Sequence, residues 1–320
     1  MTLTRILFIV LIGFIISGLM TYLEIPILKK KQFKQYIREE GPKSHLKKQG
    51  TPSMGGIAII LALIVVTIFG GFFTAESVVM LVVTLLFGLI GFIDDYIKVA
   101  QKHNLGLRPW QKLVLQIIFA VGLAVYIEKF SPYGTVVWIP FVSDYIDFGI
   151  FYVPFVAFVV VAMANSVNLT DGLDGLSSGV TAIVSLFFAI VGLKLGLYSP
   201  ATFSAALCGV CLGFLLFNRN PAKLFMGDTG SMALGGAVAS AAIMMKMEFL
   251  LVIAGFIYVM EALSVIIQVV SFKKTGKRVF KMAPIHHHFE MCGMKETQVV
   301  AMFYGVALVC CILGYIVFSI

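Results

Sequence analysis

The feature that most constrains this chain is an apolar run of about 20 residues that recurs from Leu3 almost to the last residue. A helix of that length crosses the hydrocarbon core of a bilayer. In such a core every backbone N–H and C=O must be paired within the protein, so a chain made of these runs folds as a helix bundle. The runs lie at about 3–22, 54–73, 77–93, 113–130, 150–167, 176–197, 200–217, 229–247, 249–270 and 298–319. They predict an all-α, polytopic integral membrane protein with ten spans, a single domain over 1–320. The composition agrees: 60% of residues are hydrophobic and 12% charged, against about a quarter charged in a soluble domain. The first run passes into a basic loop without a small-residue cleavage site, so it reads as a retained span.

Net charge is +8. In a soluble protein that would raise the question of nucleic acid; here the distribution of charge matters more, and no nucleic-acid partner is expected. Of the 24 Lys and Arg residues, 20 fall in the alternate loops 24–53, 94–112, 168–175, 218–228 and 271–297. Cytoplasmic loops carry such an excess, so these loops read as cytoplasmic and both termini as outside. The longest outer loop, about 131–149, has Pro132, Gly134, Pro140 and alternating apolar residues, which suits a small hairpin. The five cysteines are odd in number and mostly apolar in setting. Cys208 and Cys211 form C-x-x-C inside a predicted span and read as small packing residues.

The polar residues with chemical potential gather in the cytoplasmic loops. The first carries Lys43, His45, Lys47 and Lys48, then Gly50-Thr51-Pro52-Ser53-Met54-Gly55-Gly56. A basic stretch there suits anionic lipid; Lys48, nearest the membrane, is also the candidate for a phosphate contact. The second opens with Asp94-Asp95 and Lys98. Two adjacent carboxylates are costly in hydrocarbon, so they belong at the interface or in a wet cavity. Successive helical residues point about 100° apart, so one carboxylate could face a metal or phosphate while the other holds a supporting partner. An acidic end to the span is the plainer alternative.

The third loop, Asn168-Leu169-Thr170-Asp171-Gly172-Leu173-Asp174-Gly175, has no Lys or Arg. Its residues are good helix caps, and the cluster also suits a nucleobase, a ribose or a metal. The fourth runs from Asn218 through Phe225-Met226-Gly227-Asp228-Thr229-Gly230-Ser231. Asp228 stands at a helix start, where a cap and an anion or metal site are both natural. Mg²⁺ takes one or two carboxylates plus substrate phosphates, and Asp228 with an aspartate of the second loop fits that need. The fifth has Lys273, Lys274, Lys277, Arg278 and Lys281, then Pro284-Ile285-His286-His287-His288-Phe289-Glu290. Consecutive side chains rarely converge on one ion, so the histidines read first as phosphate donors, one of them a candidate acid/base, with a metal site and plain packing as the alternatives. One acid, Glu261, sits within a span with Ser264 and Gln268 on its face; a functional and a bracing role are both open.

Phe92-Ile93-Asp94-Asp95, Asn168 to Gly175 and Phe225 to Ser231 resemble motifs of the polyprenyl-phosphate N-acetylhexosamine-1-phosphate transferases. Thr51-Pro52-Ser53-Met54-Gly55-Gly56 and Pro284 to Glu290 narrow the resemblance to the bacterial phospho-N-acetylmuramoyl-pentapeptide transferases. Ser53, where that family commonly has threonine, keeps the hydroxyl. The resemblance implies UDP-MurNAc-pentapeptide and undecaprenyl phosphate as substrates, lipid I and UMP as products, Mg²⁺ as cofactor, a homodimer, and a multi-pass place in the bacterial inner membrane. It assigns catalysis to Asp94, Asp95, Asp228 and His286. Metal binding is expected of Asp228, Asp94 and Asp171. Substrate contacts are expected of Lys48, Ser53, Lys98, Asn168, Asp171, Asp174, Asn218, Phe225, His287 and His288. A sister enzyme that transfers GlcNAc-1-phosphate shares the aspartates. A transporter or lipid flippase is the reading of another class, but it would place charges near the midplane and show internal repeats.

Overall fold

The computed structural model describes residues 2–31, 48, 50–70, 73–101, 105–142 and 144–320. Lys43, His45 and Lys47 of the basic stretch lie outside the described residues. The fold is all-α. In chain order the helices are α1 (Leu3–Lys30), α2 (Gly56–Phe69), α3 (Ala75–Ala100), α4 (Pro109–Phe130), α5 (Tyr152–Thr170), α6 (Leu176–Lys194), α7 (Tyr198–Asn218), α8 (Gly227–Met244), α9 (Glu248–Ala254), α10 (Phe256–Thr275), α11 (Ile285–Met291) and α12 (Glu296–Ser319). Eight of these, all but α2, α8, α9 and α11, are long and apolar enough to cross a bilayer. The chain is a multi-pass membrane protein.

Nine of the ten expected spans correspond to single helices, and the ninth does not. The run expected at 249–270 breaks at Gly255, where a Cβ would stand 2.7 Å from the Leu251 carbonyl oxygen, and continues as α10. Two other helices outrun their apolar segments. α1 extends to Lys30, and α3 extends to Ala100, so Asp94, Asp95 and Lys98 stand on helix and not in a loop. The histidine run is helical too, in α11.

α6, α7 and α8 are the most enclosed helices. α8 is rich in Gly, Ala and Ser (GDTGSMALGGAVASAAIM), and small residues allow the close helix contacts that hold membrane bundles together. One of the tightest bears on the site. A Cβ at Gly91 of α3 would lie 2.1 Å from the Asp228 carbonyl oxygen, so only glycine lets α3 meet the first turn of α8. The outer faces of α1, α10 and α12 expose Leu7, Leu11, Ile15, Ile266, Val270, Ile312 and Ile316, as lipid-facing surfaces do.

The two ends of the bundle differ. At one end β1 (Val136–Ile139) and β2 (Asp144–Asp147) form the expected antiparallel hairpin. It is fastened to the α8–α9 turn: the Trp138 N–H donates to the Lys246 carbonyl at 3.1 Å, and Lys246 Nζ donates to the Gly134 carbonyl at 2.6 Å. At the other end the C-terminal turns of α3, α5 and α7 meet the N-terminal turns of α2, α4, α6, α8 and α12.

Candidate active site

α3 brings Asp94 and Asp95 to the first turn of α8, which carries Asp228. One oxygen from each of the three lies within 4.8 Å of the others. Two ammonium groups face them. Lys98 Nζ lies 2.5 Å from Asp94 Oδ2 and 3.1 Å from Asp228 Oδ2. Lys112, on the first turn of α4, lies 2.7 Å from Asp228 Oδ2 and 3.3 Å from Asp94 Oδ1. Three carboxylates against two cations leave the cluster with one negative charge in excess, in a region where Asp94 is 2% and Asp95 6% exposed. Burial on that scale demands pairing.

The two neighbouring aspartates do different work. Asp94 Oδ1 accepts the Leu107 N–H at 2.9 Å and otherwise meets the lysines. Asp95 stands farther from Lys98, with Oδ1 4.0 Å from its Nζ, and turns to the start of α8. It accepts the Asp228 N–H at 3.2 Å, the Thr229 N–H at 2.9 Å and the Thr229 hydroxyl at 2.7 Å. A carboxylate over the free N–H groups of a helix start is a cap, favoured also by the helix dipole. Asp95, expected in a catalytic role, therefore holds Asp228 in place through the backbone.

Asn168 reaches the same cluster. Its Nδ2 donates to Asp228 Oδ1 at 3.0 Å and to Ser231 Oγ at 2.8 Å, so in this structure it steadies Asp228. Asp171, expected as a metal ligand, is not one of the three convergent carboxylates; Asp95 is. Burial, and after it the charges of Asp228, Asp95 and Asp174, hold the Asp171 carboxyl well above the usual carboxylate range.

Lys48, expected to meet phosphate, is engaged elsewhere. Its ammonium lies 2.7 Å from Asp174 Oδ1 and 2.5 Å from Glu296 Oε1. Asp174 Oδ2 accepts from Asn220 Nδ2 at 3.1 Å and from the Ala222 N–H at 3.0 Å. Glu296 Oε1 also accepts the Asp174 N–H at 2.8 Å. The network ties together the first, third and fourth loops and the start of α12. Asn218, expected as a substrate contact, is 2% exposed and spends its amide inside the protein. Its Oδ1 accepts from the Gly175 N–H and Ser178 Oγ, and its Nδ2 donates to the Leu224 carbonyl.

Segments 52–56 and 225–226 lie side by side through Phe225 N–H to Pro52 O, Gly55 N–H to Phe225 O and Gly56 N–H to Met226 O, each at 2.9 Å. They hold Ser53 (6% exposed) against Gly227 and leave the Phe225 ring half-buried. The three histidines separate. His286 is wholly buried with Nδ1 3.0 Å from Glu261 Oε1. His287 Nδ1 lies 2.8 Å from Glu290 Oε2. His288 Nδ1 accepts the Lys281 N–H at 3.2 Å, which makes it part of the loop's own bracing.

A profile of Glycosyl transferase family 4 matches residues 77–246, which hold the whole aspartate cluster. The phospho-N-acetylmuramoyl-pentapeptide-transferase signature 1 matches residues 48–60, the segment docked on 225–226. A phospho-N-acetylmuramoyl-pentapeptide-transferase of Clostridium botulinum is 52% identical over 307 residues, 96% of this chain and 94% of its own. One from Bacillus subtilis is 52% identical over 314 residues, 97% of this chain and 96% of its own. One from Clostridium perfringens is 49% identical over 312 residues, 97% and 98% of the two chains. The chain belongs to the phospho-N-acetylmuramoyl-pentapeptide-transferase family.

For a member of this family the sequence reading missed Lys112, Thr229, Asn220 and Glu296. Lys112 opens α4, and Glu296 opens α12. A charged residue at the first turn of a span is an ordinary flank by sequence, and only the packing of α4 against α3 and of α12 against the third loop makes these two part of the site. Thr229, beside Asp228, was within the quoted motif.

Proposed function

We propose that the protein transfers phospho-MurNAc-pentapeptide from UDP-MurNAc-pentapeptide to undecaprenyl phosphate, forming lipid I and releasing UMP in peptidoglycan synthesis. The observation that carries this is the Asp94–Asp228–Lys98–Lys112 cluster in a chain about half identical, over nearly its full length, to transferases of that name. Membership gives a transferase; the particular substrates, the metal and the orientation are our reading.

An oxygen of the acceptor phosphate attacks the phosphorus bonded to the sugar, and the bond to UMP breaks. Both reactants are anions, so positioning and charge neutralisation dominate the barrier. Lys98 and Lys112 supply two positive charges beside the reacting phosphates, and Asn168 and Asp95 keep Asp228 at a fixed place between them. The donor set is all carboxylate oxygen, which suits Mg²⁺; Asp228 and Asp94 would hold it, with the two ammonium groups shifting onto phosphate. When bound, Mg²⁺ neutralises pyrophosphate charge and orients the leaving group. In this reading Phe225 would offer a face for the uracil ring, Asp171 would hydrogen-bond the uridine or the sugar, and Ser53 and His287 would contact the phosphates.

The site end is the cytoplasmic one, by the excess of Lys and Arg in its loops, and both termini lie outside. That orientation lets a soluble nucleotide meet a membrane-held phosphate. We also propose a homodimer. Purified protein in detergent, given each radiolabelled nucleotide with undecaprenyl phosphate, should release UMP from UDP-MurNAc-pentapeptide in the presence of Mg²⁺ and not of EDTA. UMP from UDP-GlcNAc alone would make it the sister enzyme, and no UMP from either would remove the transferase reading.

A further inference from the structure

Glu261 is an acid inside a span that the site described above leaves without a task. It lies on the second turn of α10, wholly buried. An acid at that depth is held there by a partner. Its partner is His286, equally buried, with Nδ1 3.0 Å from Glu261 Oε1. The break at Gly255 makes the meeting possible: it starts α10 afresh, and the chain beyond α10 returns so that α11 packs on it. The return is held by Gln268, whose Oε1 accepts the Val279 and Phe280 N–H groups and whose Nε2 donates to the Phe280 carbonyl.

The other side of the imidazole faces the Asp171–Gly172 turn. A Cβ placed on Gly172 would stand 2.2 Å from His286 Nε2 and 2.6 Å from Cε1, so the ring rests against the backbone of the Asp171–Gly172 turn. Nε2 is buried and has no partner among the described residues. A buried ring nitrogen without a partner is unfavourable, and here it is aimed at the turn that carries Asp171.

We infer that Glu261 is a positioning residue, which fixes the His286 tautomer through Nδ1 and aims Nε2 at a substrate group bound beside Gly172. In this arrangement the Glu261 carboxylate is the acceptor, which puts the proton of the contact on His286 Nδ1, whether or not the ring carries a second one. A carboxylate behind a histidine sets both ring orientation and tautomer. His288 is bound the opposite way: its Nδ1 accepts the Lys281 N–H at 3.2 Å, so a neutral ring there carries its proton on Nε2. Two neighbours in one short helix are thus held in different tautomers. The substrate group at Nε2 is polar, a hydroxyl, an amide N–H or a phosphate oxygen according to the ring's charge.

This inference rests on the proposed transferase reading, and the test separates the two. In protein labelled with ¹⁵N-histidine, the His286 signals are assigned by their loss in His286→Gln. The wild-type ring should carry its proton on Nδ1. In Glu261→Gln that signal should move toward a mixture of tautomers, because a Gln amide can donate as well as accept. Turnover of Glu261→Gln should fall at least about tenfold, as when a carboxylate behind a functional histidine is removed, with KM for the nucleotide little changed. In a His286→Gln background, Glu261→Gln should cost nothing more, as expected of residues acting as one unit. A wild-type His286 protonated only on Nε2 would overturn the inference, and so would losses that simply multiply. Full turnover in Glu261→Gln alongside a lost one in His286→Gln would do the same. The tautomer measurement needs no turnover, so it decides the point even if the wild type released no UMP, which would be the failure of the transferase reading alone.

Discussion

Replacing Asp95 by Asn separates a cap from a catalyst. Asp95 accepts three hydrogen bonds at the start of α8. Hydrogen bonds to a charged group contribute about 1.5–3 kcal/mol each, against about 1 kcal/mol for a neutral one. An amide keeps one oxygen and turns an NH₂ toward donors that then have no acceptor. Loss of the negative charge at a helix start removes about 0.3–1 kcal/mol more. Together these give a loss of about 2–4 kcal/mol, which lowers the melting temperature by about 5 °C or more at roughly 2–4 °C per kcal/mol. Unfolding in detergent can be followed with a thiol-reactive dye, because Cys208, Cys211 and Cys311 are buried in the folded protein. Asp228→Asn is the control: it removes the carboxylate that faces Lys98 and Lys112 but leaves the α8 cap in place. The expected pattern is loss of turnover in both variants and the larger drop in melting temperature in Asp95→Asn. An Asp95→Asn protein with wild-type melting and no turnover would refute the cap and return Asp95 to the chemistry.

Three further variants probe other contacts. Lys112→Met removes the ammonium 2.7 Å from Asp228 and should lower kcat by about 10²-fold or more, the usual scale for a lost charge-stabilising group, measured as UMP release. Gly91→Val places a side chain where even a Cβ lies 2.1 Å from the Asp228 carbonyl; the folded protein should fail to accumulate in the membrane fraction, and normal yield would contradict the close α3–α8 contact. Glu296→Ala leaves Lys48 with Asp174 as its remaining partner and frees the Asp174 N–H, so KM for the nucleotide should change severalfold while kcat changes less; unchanged KM would show that the network does not shape the donor site.

The bundle was legible because a bilayer leaves few alternatives: each apolar run had to be a helix, and nine of the ten expected spans are single helices. The ninth was misread because Gly255 sits in an unbroken apolar stretch, where hydropathy carries no sign of a break. Asp94, Asp95 and Asp228 stood out as acids at span ends, and the structure joins them. Their division of labour was not legible, since adjacent residues differ in role only through the direction each side chain takes relative to α8. Lys48 and Asn218 were read as substrate contacts because polar residues near a site invite that reading; both are occupied by partners more than 40 positions away in the chain. His288 has its partner close by, but a backbone N–H leaves no trace in the sequence. Lys112 and Glu296 carry no motif at all, and tertiary packing alone makes them part of the site.

UMP release by the purified protein tests the central claim most directly. With UDP-MurNAc-pentapeptide, undecaprenyl phosphate and Mg²⁺, the wild type should release UMP and form a lipid-soluble product in equal amounts. Asp228→Asn, folded by its melting curve, should release almost none. Wild-type turnover in Asp228→Asn, or a wild-type protein that turns over neither nucleotide, would contradict the assignment of this aspartate–lysine cluster as the transfer site.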